Sequence, residues 1–247
     1  EGIETVPCSF VPEALQVKCG RPGASAAFSR GLFLIQSEAS QLVSHLLAPK
    51  AGERVLDLAA APGGKTTHLA QLMENKGEII ACDLHPHRVE LIEENCQRLG
   101  VKIVETICAD GREIRGKVEA PFEKVLLDAP CSGLGVMRGK PDLRWHKTPQ
   151  ELSTLPPLQL ELLEAAASVT APGGELCYST CTINRSENQD LAAEFLATHP
   201  DFQPLSLAER LPEGAKQIKL LAHHMLQLLP WEHGLDGFFF ALFKRIS

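Results

Sequence analysis

Apolar runs alternate with helical stretches through the middle of the chain, and this alternation restricts the fold more than any other feature. Strand-like runs occupy RVLDLA (54–59), EIIACD (78–83), KIVETIC (102–108), EKVLLD (123–128) and GELCYST (174–180). KTTHLAQLME (65–74) reads as a helix between the first two. Val89, Ile92, Cys96 and Leu99 form the stripe of the next, with Pro86 in its first turn and Gly100 as its stop. Upstream, SEASQLVSHLL begins with an N-cap at Ser37, carries a stripe at Ala39, Leu42, Val43 and Leu46, and is stopped by Pro49. Thr148-Pro149-Gln150-Glu151 combines a cap, a first-turn proline and a glutamate three residues after the cap. Pro156 and Pro157 should break that helix, with Leu158, Leu162, Ala166 and Val169 continuing on a new one. A helix around 187–197 and two late β-like runs, IKLLAHHMLQLLP and GFFFALFK, follow. Strands separated by helices imply an α/β fold: a mostly parallel sheet with helices on both faces. Residues 1–36, with Pro7, Pro12 and Pro22, read as a small N-terminal subdomain or linker before a main domain over 37–247.

Bulk properties remove several function classes. No run of eighteen apolar residues exists, so no membrane span and no membrane partner is expected. EGIETVPCSF lacks the basic and apolar regions of a signal peptide. The chain does not begin with Met, as expected of a piece of a longer protein. Eight cysteines are scattered without a C-x-x-C pair, which argues for a reducing, cytoplasmic setting rather than a disulfide or zinc framework. The net charge of −7 excludes a surface coated with basic residues, so any nucleic-acid partner requires a local basic patch.

AAAPGGKTTHL (59–69) resembles a phosphate cradle but does not meet its requirements. A P-loop needs glycine where this chain has Ala59, and a dinucleotide fingerprint needs G-x-G-x-x-G where it has adjacent Gly63 and Gly64. Two glycines at a strand-to-helix turn let a ligand approach the backbone closely. Asp83 and Asp110 end the next two strands, placed to accept from ribose hydroxyls and an adenine amino group. A nucleoside held by carboxylates without a phosphate clamp fits S-adenosylmethionine (SAM).

Two cysteines lie just past strand ends, Cys131 in LLDAPCSGLGVMR and Cys181 in LCYSTCTIN. A thiol beside a methyl donor suits methylation of cytosine carbon 5. That carbon becomes nucleophilic once a thiolate adds at carbon 6. Asp128, three residues before Cys131, is placed to stabilise the adduct at ring nitrogen 3. The residues alone do not rank the two cysteines, because either a Pro-Cys or a Thr-Cys thiol can serve as nucleophile.

The segments LDLAAAPGGKTTHL, DAPCSGLGVMRGKPDLRW, YSTCTINRSEN, HGLDGFFFALF and FLIQSEAS together resemble the RNA cytosine-5 methyltransferases of the Nol/Nop/Sun type. The resemblance implies a Rossmann-like class I SAM-dependent methyltransferase with a seven-stranded sheet whose last strand is antiparallel. It implies Cys181 as nucleophile and Cys131 as an aid to product release. Ala59, Ala60, Ala61, Pro62, Gly63, Gly64 and Lys65 would hold SAM with Asp83, Asp110 and Asp128, Lys65 pointing into the reaction cleft. The implied substrate is an unpaired or flipped cytosine of RNA, in the small-subunit (16S) ribosomal RNA. Full-length members carry an additional N-terminal RNA-binding domain.

A local basic patch exists at Arg138, Lys140, Arg144 and Lys147, with Trp145 available for stacking on a base. Relatives often show two consecutive basic residues where this chain has Arg138-Gly139. His85, His87, His223, His224 and His233 show no zinc-ligand spacing, so no metal is expected, and a monomer is expected. Two other readings compete: an RNA-binding or assembly factor without catalysis, and an amino methyltransferase, whose N/D-P-P-Y motif would stand where DAPC does.

Overall fold

The computed structural model describes residues 2–146 and 148–247, with only the backbone described for Arg144, His146, Pro149 and Glu151. A two-stranded antiparallel hairpin comes first, β1 (Glu4–Pro7) and β2 (Leu15–Cys19), followed by the short helix α1 (Ala26–Ser29). Both strands are exposed. The loop between them docks on the main body, burying Val11 and Ala14, while the Glu38 carboxylate accepts from the Phe10 and Val11 amides.

The main body begins with α2 (Glu38–Leu47), whose Ser37 cap accepts from the Ser40 amide. It continues through β3 (Arg54–Asp57), α3 (Gly64–Leu72), β4 (Glu78–Asp83), α4 (Pro86–Leu99), β5 (Val104–Cys108) and β6 (Phe122–Asp128). After α5 (Leu143–His146) come α6 (Pro149–Val169), β7 (Thr170–Thr180), α7 (Gln189–Thr198), β8 (Phe202–Pro204), β9 (Met225–Leu228), α8 (Pro230–His233) and β10 (Phe238–Arg245). Seven strands run in the order β5-β4-β3-β6-β7-β10-β8, and β9 adds an eighth by pairing with β10. Pairing is parallel from β5 to β7, and β10 inserts antiparallel beside β7, Phe239 opposite Thr180.

Side chains of a strand alternate between faces, and here both faces are covered. Phe238, Phe240 and Leu242 of β10 join α2 and α3 in one core, with Leu42, Leu46, Leu69 and Met73. Phe239, Ala241 and Phe243 join α6 and α7 in the other, with Leu163, Ala166, Leu191 and Phe195. That double burial is why FFFALF (238–243) is apolar at every position instead of alternating.

Two expectations are corrected. Pro156 and Pro157 lie inside one continuous helix, α6. Each proline removes one backbone bond, but the face carrying Gln159, Leu163 and Ala166 stays buried on the sheet and holds the two halves in line. Of IKLLAHHMLQLLP only Met225–Leu228 is a strand; the residues before it form a turn in which Leu221 and Ala222 donate to the Met225 carbonyl.

Candidate active site

The carboxyl ends of β3, β6 and β7 open on one side of the sheet, where parallel α/β proteins place their ligands. The loop after β3 is tied down by the Ala60 amide bonding to Cys82 O at 2.9 Å and the Gly63 amide to Ala60 O at 2.8 Å. Gly63 has φ +92°, and a β-carbon there would stand 3.1 Å from the Ile92 Cα, so only glycine fits. α3 then starts at Gly64, aiming Lys65 back across the strand ends.

A cavity of about 290 Å³ lies in front of this loop. Ala59, Ala60, Ala61, Pro62, Gly64, Lys65 and Asp128 line it, together with Leu34, Ile35 and Gln36. Asp83 ends β4 as expected but is nearly enclosed. One oxygen accepts from the Ala61 amide at 3.1 Å and the other faces Arg88 at 3.5 Å, so it also holds the loop's shape. Asp110 follows β5 and caps the turn 111–116, and both its oxygens are engaged by Arg112, whose hydrogen bonds hold the carboxyl below its ordinary range.

Asp57, which ends β3 inside the cavity wall, carries a functional signal that sequence reading missed. It is fully buried, and burial pushes its pKa up to about 7, against the opposing hydrogen bond from Thr66 Oγ1 at 2.7 Å. Its Oδ1 has no hydrogen-bond partner. The available signal was its position, the acid ending the first strand directly before the glycine loop.

Beyond Lys65 stand the two sequence-singled cysteines. The sulfurs of Cys131, after β6, and Cys181, after β7, are 3.3 Å apart. Lys65 Nζ donates to Asp128 Oδ2 at 2.7 Å and lies over the Phe238 ring; Ser179 Oγ donates to Asp128 Oδ1 at 2.7 Å. Burial pulls the Lys65 pKa down, but the Asp128 carboxylate outweighs it and the ammonium is held charged. The two thiols titrate as a pair. The hydrogen bond from Cys131 lowers Cys181, aided by the Lys65 charge, while the same bond and burial push Cys131 well up.

Residues 44–244 match the family model described as 16S rRNA methyltransferase RsmB/F. The chain belongs to the RsmB/F family. It is 42% identical over 247 residues, 99% of this chain and 55% of the relative, to the probable ribosomal RNA small subunit methyltransferase B of Bacillus subtilis. The chain thus spans about half the length of the curated relatives it matches. Among solved structures, PH0851 superposes with a TM-score of 0.91 at 39% identity, covering 98% of this chain and 54% of that one. NSun6 from Pyrococcus horikoshii with SFG superposes at 0.81 and 32% identity, covering 95% of this chain and 60% of that one. The fold is the Rossmann-like class I methyltransferase fold shared by these structures.

Around the RsmB/F site, the segment after Cys131 carries the sequence-assigned basic residues. Arg138 and Lys140 are exposed, and Trp145 on α5 is 80% exposed. The side chain of Arg144, and Lys147 altogether, lie outside the described residues. A second group went unnoticed in the sequence: Glu13 Oε1 meets His45 Nε2 at 2.8 Å and His68 Nε2 at 2.6 Å. The His68 bond leads in holding the Glu13 carboxyl down at about 2. This group fastens the N-terminal loop to α2 and α3. No helix of the described residues is long and apolar enough to cross a membrane.

Proposed function

We propose that this chain transfers a methyl group from SAM to carbon 5 of a cytosine in RNA, the small-subunit ribosomal RNA, through a covalent adduct of Cys181 at carbon 6. The observation that carries the reading is the thiol pair, 3.3 Å apart beside the Lys65–Asp128 ion pair at the strand ends. Relatives named as small-subunit ribosomal RNA methyltransferases, and a similar protein solved with the SAM analogue SFG, support it.

The cavity fits a sulfonium nucleoside. Ala59, Ala60, Ala61, Pro62 and Gly64 line it, compact residues that leave room larger side chains would fill, while Gly63 turns toward Ile92. Its wall holds a buried carboxylate oxygen on Asp57 without a partner, suited to a cationic amino-acid group. Asp57, the 59–65 loop, Asp83 and Asp128 would hold the cofactor, Asp110 joining once Arg112 yields an oxygen. When bound, SAM supplies the electrophilic methyl that carbon 5 of the adduct receives.

The protein's own part follows from the pair. Cys181, stabilised as thiolate by the Cys131 hydrogen bond and by Lys65, adds to carbon 6, and the ring electrons move toward nitrogen 3. The proton that Cys181 gives up passes to nitrogen 3, where Asp128, oriented by Lys65 and Ser179, accepts a hydrogen bond from it, and it leaves the ring again when the sulfur departs. After loss of the carbon-5 proton, the bond from carbon 6 to Cys181 breaks. Cys131, held protonated, donates a hydrogen bond to the departing sulfur and restores the resting pair. The amino methyltransferase reading requires no thiols and leaves this geometry without a use.

The test is transfer of a tritium-labelled methyl group from SAM to small-subunit ribosomal RNA, followed by bisulfite mapping. Label should map to a cytosine and disappear in Cys181→Ala. Full turnover by that variant, or label on a purine, overturns the reading.

A further inference from the structure

Below the thiol pair lies a buried carboxylate that the proposed chemistry does not touch. Glu187, in the turn before α7, is wholly buried, and its side chain accepts from three neutral donors. Oε2 takes the Ser132 amide at 2.8 Å and Gln159 Nε2 at 3.0 Å; Oε1 takes Asn184 Nδ2 at 2.9 Å. Gln159, also wholly buried, sends the same amide nitrogen to the Pro130 carbonyl at 2.9 Å. Pro130 and Ser132 flank Cys131, so Glu187 and Gln159 grip the backbone on both sides of that thiol.

The Cys181 side is held from the same stretch. Asn188 accepts from Thr180 Oγ1 at 2.7 Å and donates to the Thr182 carbonyl at 3.0 Å, the two residues flanking Cys181. Ser132 Oγ and Thr182 Oγ1, 2.7 Å apart, link the two loops directly. The Tyr178 hydroxyl fixes the Glu187 carbonyl at 2.7 Å. The two loops come from different strands, and the Glu187–Asn188 turn is a common anchor for both.

We propose that Glu187, acting with Gln159, is the positioning residue that sets the distance between the Cys131 and Cys181 thiols. A carboxylate suits the place because it is an acceptor at both oxygens, and all three partners are donors. An amide would turn its NH₂ toward one of them. Breaking the clamp frees the Cys131 loop while leaving the cofactor cavity, which neither residue lines, in place. Ångström-scale displacement of a reacting group costs on the order of a hundredfold in rate.

The inference rests on the two thiols being the reacting pair, and its test is separable from that reading. The thiols themselves report their distance. Oxidised glutathione converts the two thiols to one disulfide and releases two reduced glutathione molecules, so the equilibrium constant measures the pair's effective concentration. Peptide mass spectrometry assigns the bond to Cys131 and Cys181. In Glu187→Ala, confirmed folded by circular dichroism, this constant should fall by on the order of tenfold or more. Glu187→Gln keeps an oxygen for Ser132 and Gln159 and should recover most of it. Gln159→Leu, which removes the bridging donor but fills the space, should act like Glu187→Ala and decides the matter if that variant does not fold. In methyl-transfer assays the same variants should lose kcat with an unchanged KM for RNA. A wild-type disulfide equilibrium in folded Glu187→Ala and Gln159→Leu overturns the inference, whether or not methyl transfer survives. A shifted equilibrium in an enzyme that never methylates cytosine counts against the functional reading alone.

Discussion

Replacing Asp57 by Asn should make the chain more stable at pH 8 and less stable at pH 4. In the folded chain burial pushes the Asp57 pKa up to about 7, from an ordinary value of 3.8. Between those values the unfolded chain ionises this carboxyl and the folded chain does not. The native state therefore holds more protons, and stability falls as pH rises from about 4 to about 7. The rise from 3.8 to about 7, at about 1.36 kcal/mol per pH unit, corresponds to roughly 4 kcal/mol lost by pH 8. Asparagine does not titrate, so the variant escapes this loss. Its carbonyl keeps the hydrogen bond from Thr66, but its amide nitrogen lies where Oδ1 has no partner. It leaves two buried N–H donors unsatisfied where the neutral carboxyl leaves one O–H, a difference that costs about 1–3 kcal/mol. The net expectation is a variant destabilised by about 1–3 kcal/mol near pH 4 and stabilised by a similar amount at pH 8. Urea denaturation at pH 4.5, 6 and 8 measures both chains, with the crossover falling between the end values. Parallel stability curves for the two proteins would mean that Asp57 does not titrate differently on folding. At pH 8 the variant should also bind SAM more weakly, the usual trade between a strained site and a stable fold.

Other consequences follow from the same geometry. Gly135→Ala should loosen the cysteine loops, because a β-carbon there would lie 2.0 Å from Gly237 O and 2.8 Å from Cys181 O. Overpacking against backbone costs about 1–3 kcal/mol, and the shift should lower both the melting temperature and methyl transfer; an unchanged melting curve and rate speak against it. The carboxyl of Glu13, held at about 2 against an ordinary 4.5, contributes stability above pH 4.5 that is lost as pH falls toward 2. The stability gap between wild type and Glu13→Gln should therefore close over that range, and a constant gap would remove the histidine contacts as its cause.

The order of strands and helices was legible because the inner parallel strands β3, β4, β6 and β7, buried on both faces, write nearly continuous apolar runs. The same logic located Asp83, Asp110, Asp128, Cys131 and Cys181 at strand ends; the structure brings the last three together, while Asp110 is held by Arg112 outside the cavity lining. Asp57 was hidden inside RVLDLA, where its charge reads as an interruption of a strand rather than as a group facing a cavity. Pro156 and Pro157 read as breakers because local propensity does not reveal the buried face that carries α6 past them. β8 and β9, three and four residues long, take their form from the edge of β10 rather than from a pattern of their own. Glu13 meets partners 32 and 55 residues away, and Glu187 meets Ser132 across 55. Such polar clusters are assembled by topology, and no spacing in the sequence announces them.

In the proposed reaction Cys181 attacks the cytosine and Cys131 releases it. Cys131→Ala mixed with small-subunit ribosomal RNA and SAM should accumulate a protein–RNA adduct that runs as a slow band on a denaturing gel, with mass spectrometry placing the cytosine on Cys181. Adding Cys181→Ala to that variant should remove the band. No adduct in Cys131→Ala, or a band that persists in the double variant, would contradict the assignment of the two thiols.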